Sequence, residues 1–153
     1  MPKGYWWVIE AMSFGALLCI PAFVLSSYAE LPATIPTHFG LSGTPDGYGD
    51  KSTMLFIVIV SGFVFTLMST APFHPHLINI PGPRTPEKIQ TAIGMLRILK
   101  LEVMAFFAYL SWAMIRTALG AANGLGGVVP LVFVSALLLT IGIGLLLAIR
   151  NEN

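Results

Sequence analysis

Four stretches of this chain are apolar almost without interruption, and its polar residues gather between them. The runs cover about Tyr5 to Tyr28, Thr53 to Phe73, Leu99 to Leu119 and Val128 to Ile149. A membrane-crossing helix needs about 20 mostly apolar residues to span a hydrocarbon core about 30 Å thick. The pattern therefore predicts an all-α integral membrane bundle of four transmembrane helices, with residues 1–153 forming a single domain. The first run has some features of a secretory signal peptide, with Lys3 ahead of it and the small residues Ser27 and Ala29 behind it. It is read as a retained span.

The connecting segments add detail. Between the first two runs, about Ala29 to Ser52, Pro32 and Pro36 stiffen an extended entry. Asp46-Gly47 is a turn signal, and Asp50 or Ser52 is placed to cap the second helix. This loop is expected to be structured. The loop from Gly120 to Gly127 is short and glycine-rich, and joins close antiparallel neighbours. Thr85, Pro86 and Glu87 read as the N-cap, first position and dipole-compensating acid of a helix. Ile89, Ile93, Leu96 and Leu99 follow at helical spacing, so the third helix is expected to run unbroken from Pro86 to Leu119. That length is roughly 50 Å, well beyond the bilayer.

Composition supports the membrane reading. Hydrophobic residues make up 56% of the 153 and charged residues 10%, and the mean hydropathy is +0.82. A soluble domain carries roughly 25% charged residues. Lys and Arg are distributed unevenly. If both termini face the cytoplasm, that side holds Lys3, Arg84, Lys88, Arg97, Lys100 and Arg150, and the outer side only Lys51 and Arg116. Both termini are therefore expected to be cytoplasmic, with the loop between helices one and two outside. Tyr5, Trp6 and Trp7 mark the inner interface, and Trp112 lies towards the outer end of the third span. The net charge of +1 provides no basic stripe for nucleic acid. Cys19, inside the first run, reads as a small buried hydrophobe.

Candidate chemistry is sparse. In the outer loop His38 accompanies Glu30, Asp46 and Asp50, a set that suits either a cation or cationic peptide, or the internal bonding of the loop. His74-Pro75-His76 reads as an interfacial turn ending the second helix. Glu10 and Glu102 lie within the spans, where an ionised carboxylate must be paired. With Arg97 and Lys100 they are expected to form a polar cluster locking the first helix to the third. Arg116 is positioned either to snorkel to the interface or to hold Asp46 or Asp50. Gly142 and Gly144 are expected to allow close helix contact. No Walker loop, dinucleotide fingerprint, HExxH or GxSxG is present. No catalytic residue, metal site or cofactor is expected, and an enzyme is not.

The outer loop reads Leu31-Pro-Ala-Thr-Ile-Pro-Thr-His-Phe-Gly40, then Leu-Ser-Gly-Thr-Pro-Asp-Gly-Tyr-Gly49. Leu31, Pro32, Ile35, Pro36, His38, Phe39, Gly43, Asp46, Tyr48 and Gly49 resemble the signature of DUF1648, a bacterial membrane-domain family of unknown function. That family includes the N-terminal region of SdpI-type immunity proteins, which protect a producing cell from a secreted killing peptide. A weaker resemblance covers Asn79, Pro81, Arg97, Lys100, Leu101, Phe106 and Tyr109. SdpI-type proteins usually continue into a further helical region, whereas four spans are present here.

The resemblance implies a non-enzymatic, multi-pass protein of the bacterial cytoplasmic membrane. Its outer loop, through Pro36, His38, Phe39, Asp46, Tyr48 and Asp50, would meet an extracellular peptide or envelope component. Small size and an apolar fourth helix keep open an accessory subunit of a larger membrane complex, of respiratory or photosynthetic type. Glu10 and Glu102 keep open a small transporter. The expected partners are the lipid bilayer and either other membrane subunits or a peptide.

Overall fold

The computed structural model describes residues 4–80 and 82–150, the side chains of Ala148 and Arg150 excepted. Lys3, Pro81 and the Arg150 side chain, used above in the charge count and the resemblance, lie outside the described residues. Four helices carry the fold: α1 (Trp6–Ser27), α2 (Thr53–Thr70), α3 (Pro86–Ala118) and α4 (Val128–Arg150). All four are long and apolar enough to cross a membrane, as a multi-pass membrane protein requires.

α3 is the hub. A third of its apolar window is buried inside the protein, against 6% for α4. α1, α2 and α4 each pack on α3, while α1 and α4 make no substantial contact with one another. The start of α3 follows from local chemistry. Pro86 takes the first turn, where its missing N–H costs nothing, and the Thr85 hydroxyl accepts from the Lys88 amide at 3.3 Å. At its other end α2 closes in two short 3₁₀ turns, Ala71–Phe73 and Pro75–Leu77. His74 and His76 sit on this turn, and Arg84 holds it by donating to the carbonyls of Ile78, at 2.9 Å, and Pro75.

The loop between α1 and α2 corrects the all-α expectation. It folds into an antiparallel hairpin of β1 (Thr34–Phe39) and β2 (Pro45–Asp50). Period-two patterning could not reveal it, because Pro, Gly and Asp dominate β2 and are poor strand formers. Pro36 is tolerated because both strands of a two-stranded sheet are edges. The turn is not at Asp46-Gly47, which lie within β2. It spans Gly40 to Thr44, closed by Gly40 N–H to Thr44 O at 2.9 Å and Gly43 N–H to Gly40 O at 2.8 Å.

An isolated hairpin is marginal in water, and this one is pinned in three ways. Ile35 is fully buried in a core that includes Ile20 and Val24 of α1, Met54 and Ile57 of α2, and Met114 and Ile115 of α3. The Leu125 amide, in the α3–α4 turn, donates to Gly43 O at 2.8 Å, and the Tyr109 hydroxyl donates to Leu125 O. The Lys51 ammonium lies 3.3 Å from the carbonyls of both Tyr28 and Leu31 at the end of α1.

Glycine is essential where the hairpin tip meets that turn. Gly43 has φ +78°, and a Cβ there would lie 2.9 Å from the Gly126 carbonyl carbon. Gly124 has φ +144°, and its Cβ would overlap the Gly43 carbonyl. In the spans, Gly144 receives Met95, as the small-residue reading expects, whereas Gly142 faces nothing within 4 Å. Cys19 is exposed on α1 rather than buried. In lipid an apolar side chain gains little by turning inward, so an apolar run does not report burial.

Gly124→Ala is expected to destabilise the protein by about 1–3 kcal/mol through its backbone angle and the lost hairpin contact. Gly142→Ala, on an open helix face, is expected to be neutral or up to about 1 kcal/mol stabilising. Thermal unfolding in mild detergent, followed by circular dichroism, separates the two.

Candidate functional site

The hairpin turns one polar face away from the bundle. Along β2 exposure alternates, so Asp46, Tyr48 and Asp50 project on one side while Pro45, Gly47 and Gly49 are partly covered. His38 projects from β1 opposite Gly47. A side chain at Gly47 would force the strands apart there, because its Cβ would lie 2.8 Å from the Cβ of His38. With glycine in place, His38 Nδ1 reaches Asp46 Oδ1 at 2.5 Å. This pair is solvent-exposed, with His38 74% and Asp46 51% accessible.

Asp50 is committed locally. Its carboxylate accepts from the Ser52 amide at 2.8 Å, at the entry to α2. That bond, the Ser52 hydroxyl and, to a smaller extent, the Lys51 charge hold its carboxyl below the ordinary carboxylate value. Tyr48 stands between the two aspartates and is 65% exposed, and Leu41 at the tip is fully exposed. Pro36 is buried and Phe39 packs against the core, so these two predicted loop residues support the hairpin from beneath. Glu30 is exposed, and among the described residues no group of three or more His, Cys, Asp or Glu converges to hold a metal.

The polar cluster in the spans divides in two. Lys100 is 1% exposed, and its ammonium bonds Glu10 of α1 and the Ser69 hydroxyl of α2, the latter at 3.0 Å. It also lies 4.9 Å from the centre of the Phe65 ring. Arg97 Nε lies 3.3 Å from the other Glu10 oxygen, and its guanidinium sits over Trp6 at 5.5 Å. Glu102 is not part of this group. Two residues along a helix is a rotation of about 200°, so Glu102 leaves the opposite side of α3 and accepts from Thr140 of α4 at 2.7 Å. Its second oxygen is buried without a hydrogen-bond partner.

Arg116 holds neither Asp46 nor Asp50. It closes its own helix end, donating to Ala121 O at 3.1 Å with its guanidinium 5.1 Å over Trp112. A cation at a helix C-terminus is favoured by the orphan carbonyls there. The anchoring roles of Lys51 and Ser69 escaped the sequence reading, in which Lys51 entered only the charge count. Lys51 carried a usable signal, because a cation at the start of α2 opposes that helix's dipole and is better employed at the carbonyl end of another helix. Ser69 carried none.

Lys100→Met is expected to cost about 1–3 kcal/mol, discounted because Glu10 is partly exposed and keeps Arg97. Glu10→Gln combined with Lys100→Met should cost less than the two single losses added together, since either single change already breaks the pair. Strict additivity in thermal unfolding would show that the two residues do not act as a pair.

A family of known sequences matches the first part of the chain. Its description is "Domain of unknown function (DUF1648)", and the match covers residues 15–62. The weaker likeness over residues 79–109 falls outside that stretch. An uncharacterized protein of the archaeon Archaeoglobus fulgidus is 32% identical over 78 residues, covering 44% of this chain and 41% of the relative. The chain thus spans less than half the length of that relative. No solved structure matches it. The stretch that matches DUF1648 runs from the middle of α1 through the hairpin into α2.

Proposed function

We propose that this chain is a non-enzymatic recognition module whose hairpin face meets a cationic peptide or envelope component, in the manner of SdpI-type protective proteins. The observation that carries the reading is a polar face that is both rigid and unshielded. Ile35, Lys51 and the Gly43–Leu125 bond fix the hairpin on the bundle, while His38, Asp46, Tyr48 and Asp50 point outward. A fixed surface loses little entropy on binding. An aromatic ring between two carboxylates suits an ammonium or guanidinium group, by charge and by attraction to the ring face. The Lys and Arg bias supports a hairpin outside the cell and termini in the cytoplasm; the bacterial cytoplasmic membrane is what the resemblance to SdpI-type proteins implies.

Expression in a sensitive bacterial host should raise survival against a secreted cationic killing peptide. Replacing Asp46 by Asn together with Tyr48 by Ala should lower the tolerated peptide concentration about tenfold, with the amount of protein in the membrane unchanged. No protection by the unaltered chain, or full protection by the double variant, would overturn the reading.

One observation favours a second reading, an accessory subunit of a larger membrane complex. Among the described residues α4 makes substantial contact only with α3 and leaves most of its large side chains, from Val128 to Ile149, outside the protein. On that reading the chain should leave its native membrane in mild detergent at fixed ratio with larger partners, whereas a protective module should emerge as a monomer or small homo-oligomer.

A further inference from the structure

The end of the bundle opposite the hairpin contains a cleft of about 780 Å³. Its walls are the start of α1, the first half of α3 and the second half of α4. The cleft exists because α1 and α4 both pack on α3 without closing on each other, and Gly144 lets α4 rest on Met95 at one narrow point. Its volume lies within the range of small-molecule sites.

The lining changes character along α3. Glu87 and Gln90 lie at one end and Ile98 at the other, with Ile143 and Leu147 of α4 facing the apolar part. From Glu87 to Ile98 the helix rises about 16 Å, the distance from headgroup level into hydrocarbon. A lateral gap with that gradient suits an amphiphile aligned with the bilayer, with a polar group level with Glu87 and a chain along Ile98, Ile143 and Leu147. Glu87 is the only charged side chain lining the cleft among the described residues, which selects a cation at the mouth. The Gln90 amide and Tyr5 hydroxyl, on the same lining, supply donors for a phosphate.

We infer that this cleft is a binding site for one membrane lipid whose headgroup carries a primary ammonium, a phosphatidylethanolamine-type lipid. Glu87 receives the ammonium, Gln90 and Tyr5 meet the phosphate, and one chain occupies the apolar part.

Trp6 lines the cleft and serves as reporter. In a Trp7→Phe, Trp112→Phe background, the protein is placed in nanodiscs of phosphatidylcholine with increasing chain-brominated phosphatidylethanolamine, phosphatidylglycerol or phosphatidylcholine. Brominated phosphatidylethanolamine should quench Trp6 at about fivefold lower mole fraction than the other two, the factor equivalent to one net hydrogen bond. Glu87→Gln should abolish that preference, and Ile143→Trp, which fills the apolar part from an exposed position, should weaken quenching by all three lipids; in the second variant the added indole is corrected for by a parallel Trp6→Phe sample. Equal quenching by the three lipids in the unaltered cleft would mean annular lipid only and would overturn the proposal. Stronger quenching by phosphatidylglycerol would overturn it in favour of an anionic lipid, and a preference that survives Glu87→Gln would remove the ammonium contact.

Discussion

The Lys100 ammonium is withdrawn almost entirely from solvent, yet it joins three helices. A charge at membrane depth costs several kcal/mol unless it is met by opposite charge and hydrogen bonds. Glu10 of α1 and the Ser69 hydroxyl of α2 supply both. The pair also draws in Arg97, whose guanidinium lies over Trp6 while the Trp6 ring lies against Gly94. Because lipid offers no hydrophobic drive for helices to associate, such polar contacts and close small-residue packing must hold the spans together. The central position of α3 follows, since it carries both cations.

The hairpin end is held by different means. Here water is available, so backbone groups rather than buried charges make the joints. Gly43 and Gly124 bring two turns within backbone bonding distance, and Lys51 binds the carbonyls that end α1. Ile35 anchors the sheet in the core beneath. The consequence is a small sheet that behaves as part of the bundle rather than as a loop. Its outward side chains therefore keep a fixed spacing, the property a recognition surface needs and a flexible connector lacks.

α4 stands apart from this construction. Its ties to α3 are the Thr140–Glu102 bond, the stacking of Phe106 on Phe133 at 4.0 Å and the Met95–Gly144 contact. No buried ion pair secures it among the described residues. The same looseness that leaves its outer face to lipid or to a neighbouring subunit also opens the cleft beside α1. The chain thus combines a rigid polar surface at one end with an incompletely closed apolar seam at the other.

Much of the architecture was legible in the residues. The spans follow from uninterrupted apolar length, and the start of α3 from Thr85, Pro86 and Glu87, because these are local properties that the bilayer cannot override. The partners of Glu10 were legible because an intramembrane carboxylate demands a cation. Helical phase, available from the sequence, would already have separated Glu102 from Lys100. Tertiary structure alone decided the rest. It made strands of a segment rich in Pro, Gly and Asp, because the pairing is maintained by Ile35 in the core and by the α3–α4 turn rather than by strand propensity. It directed Arg116 to its own helix end and Lys51 to another's, because a long cation takes whichever carbonyls the packing brings within reach.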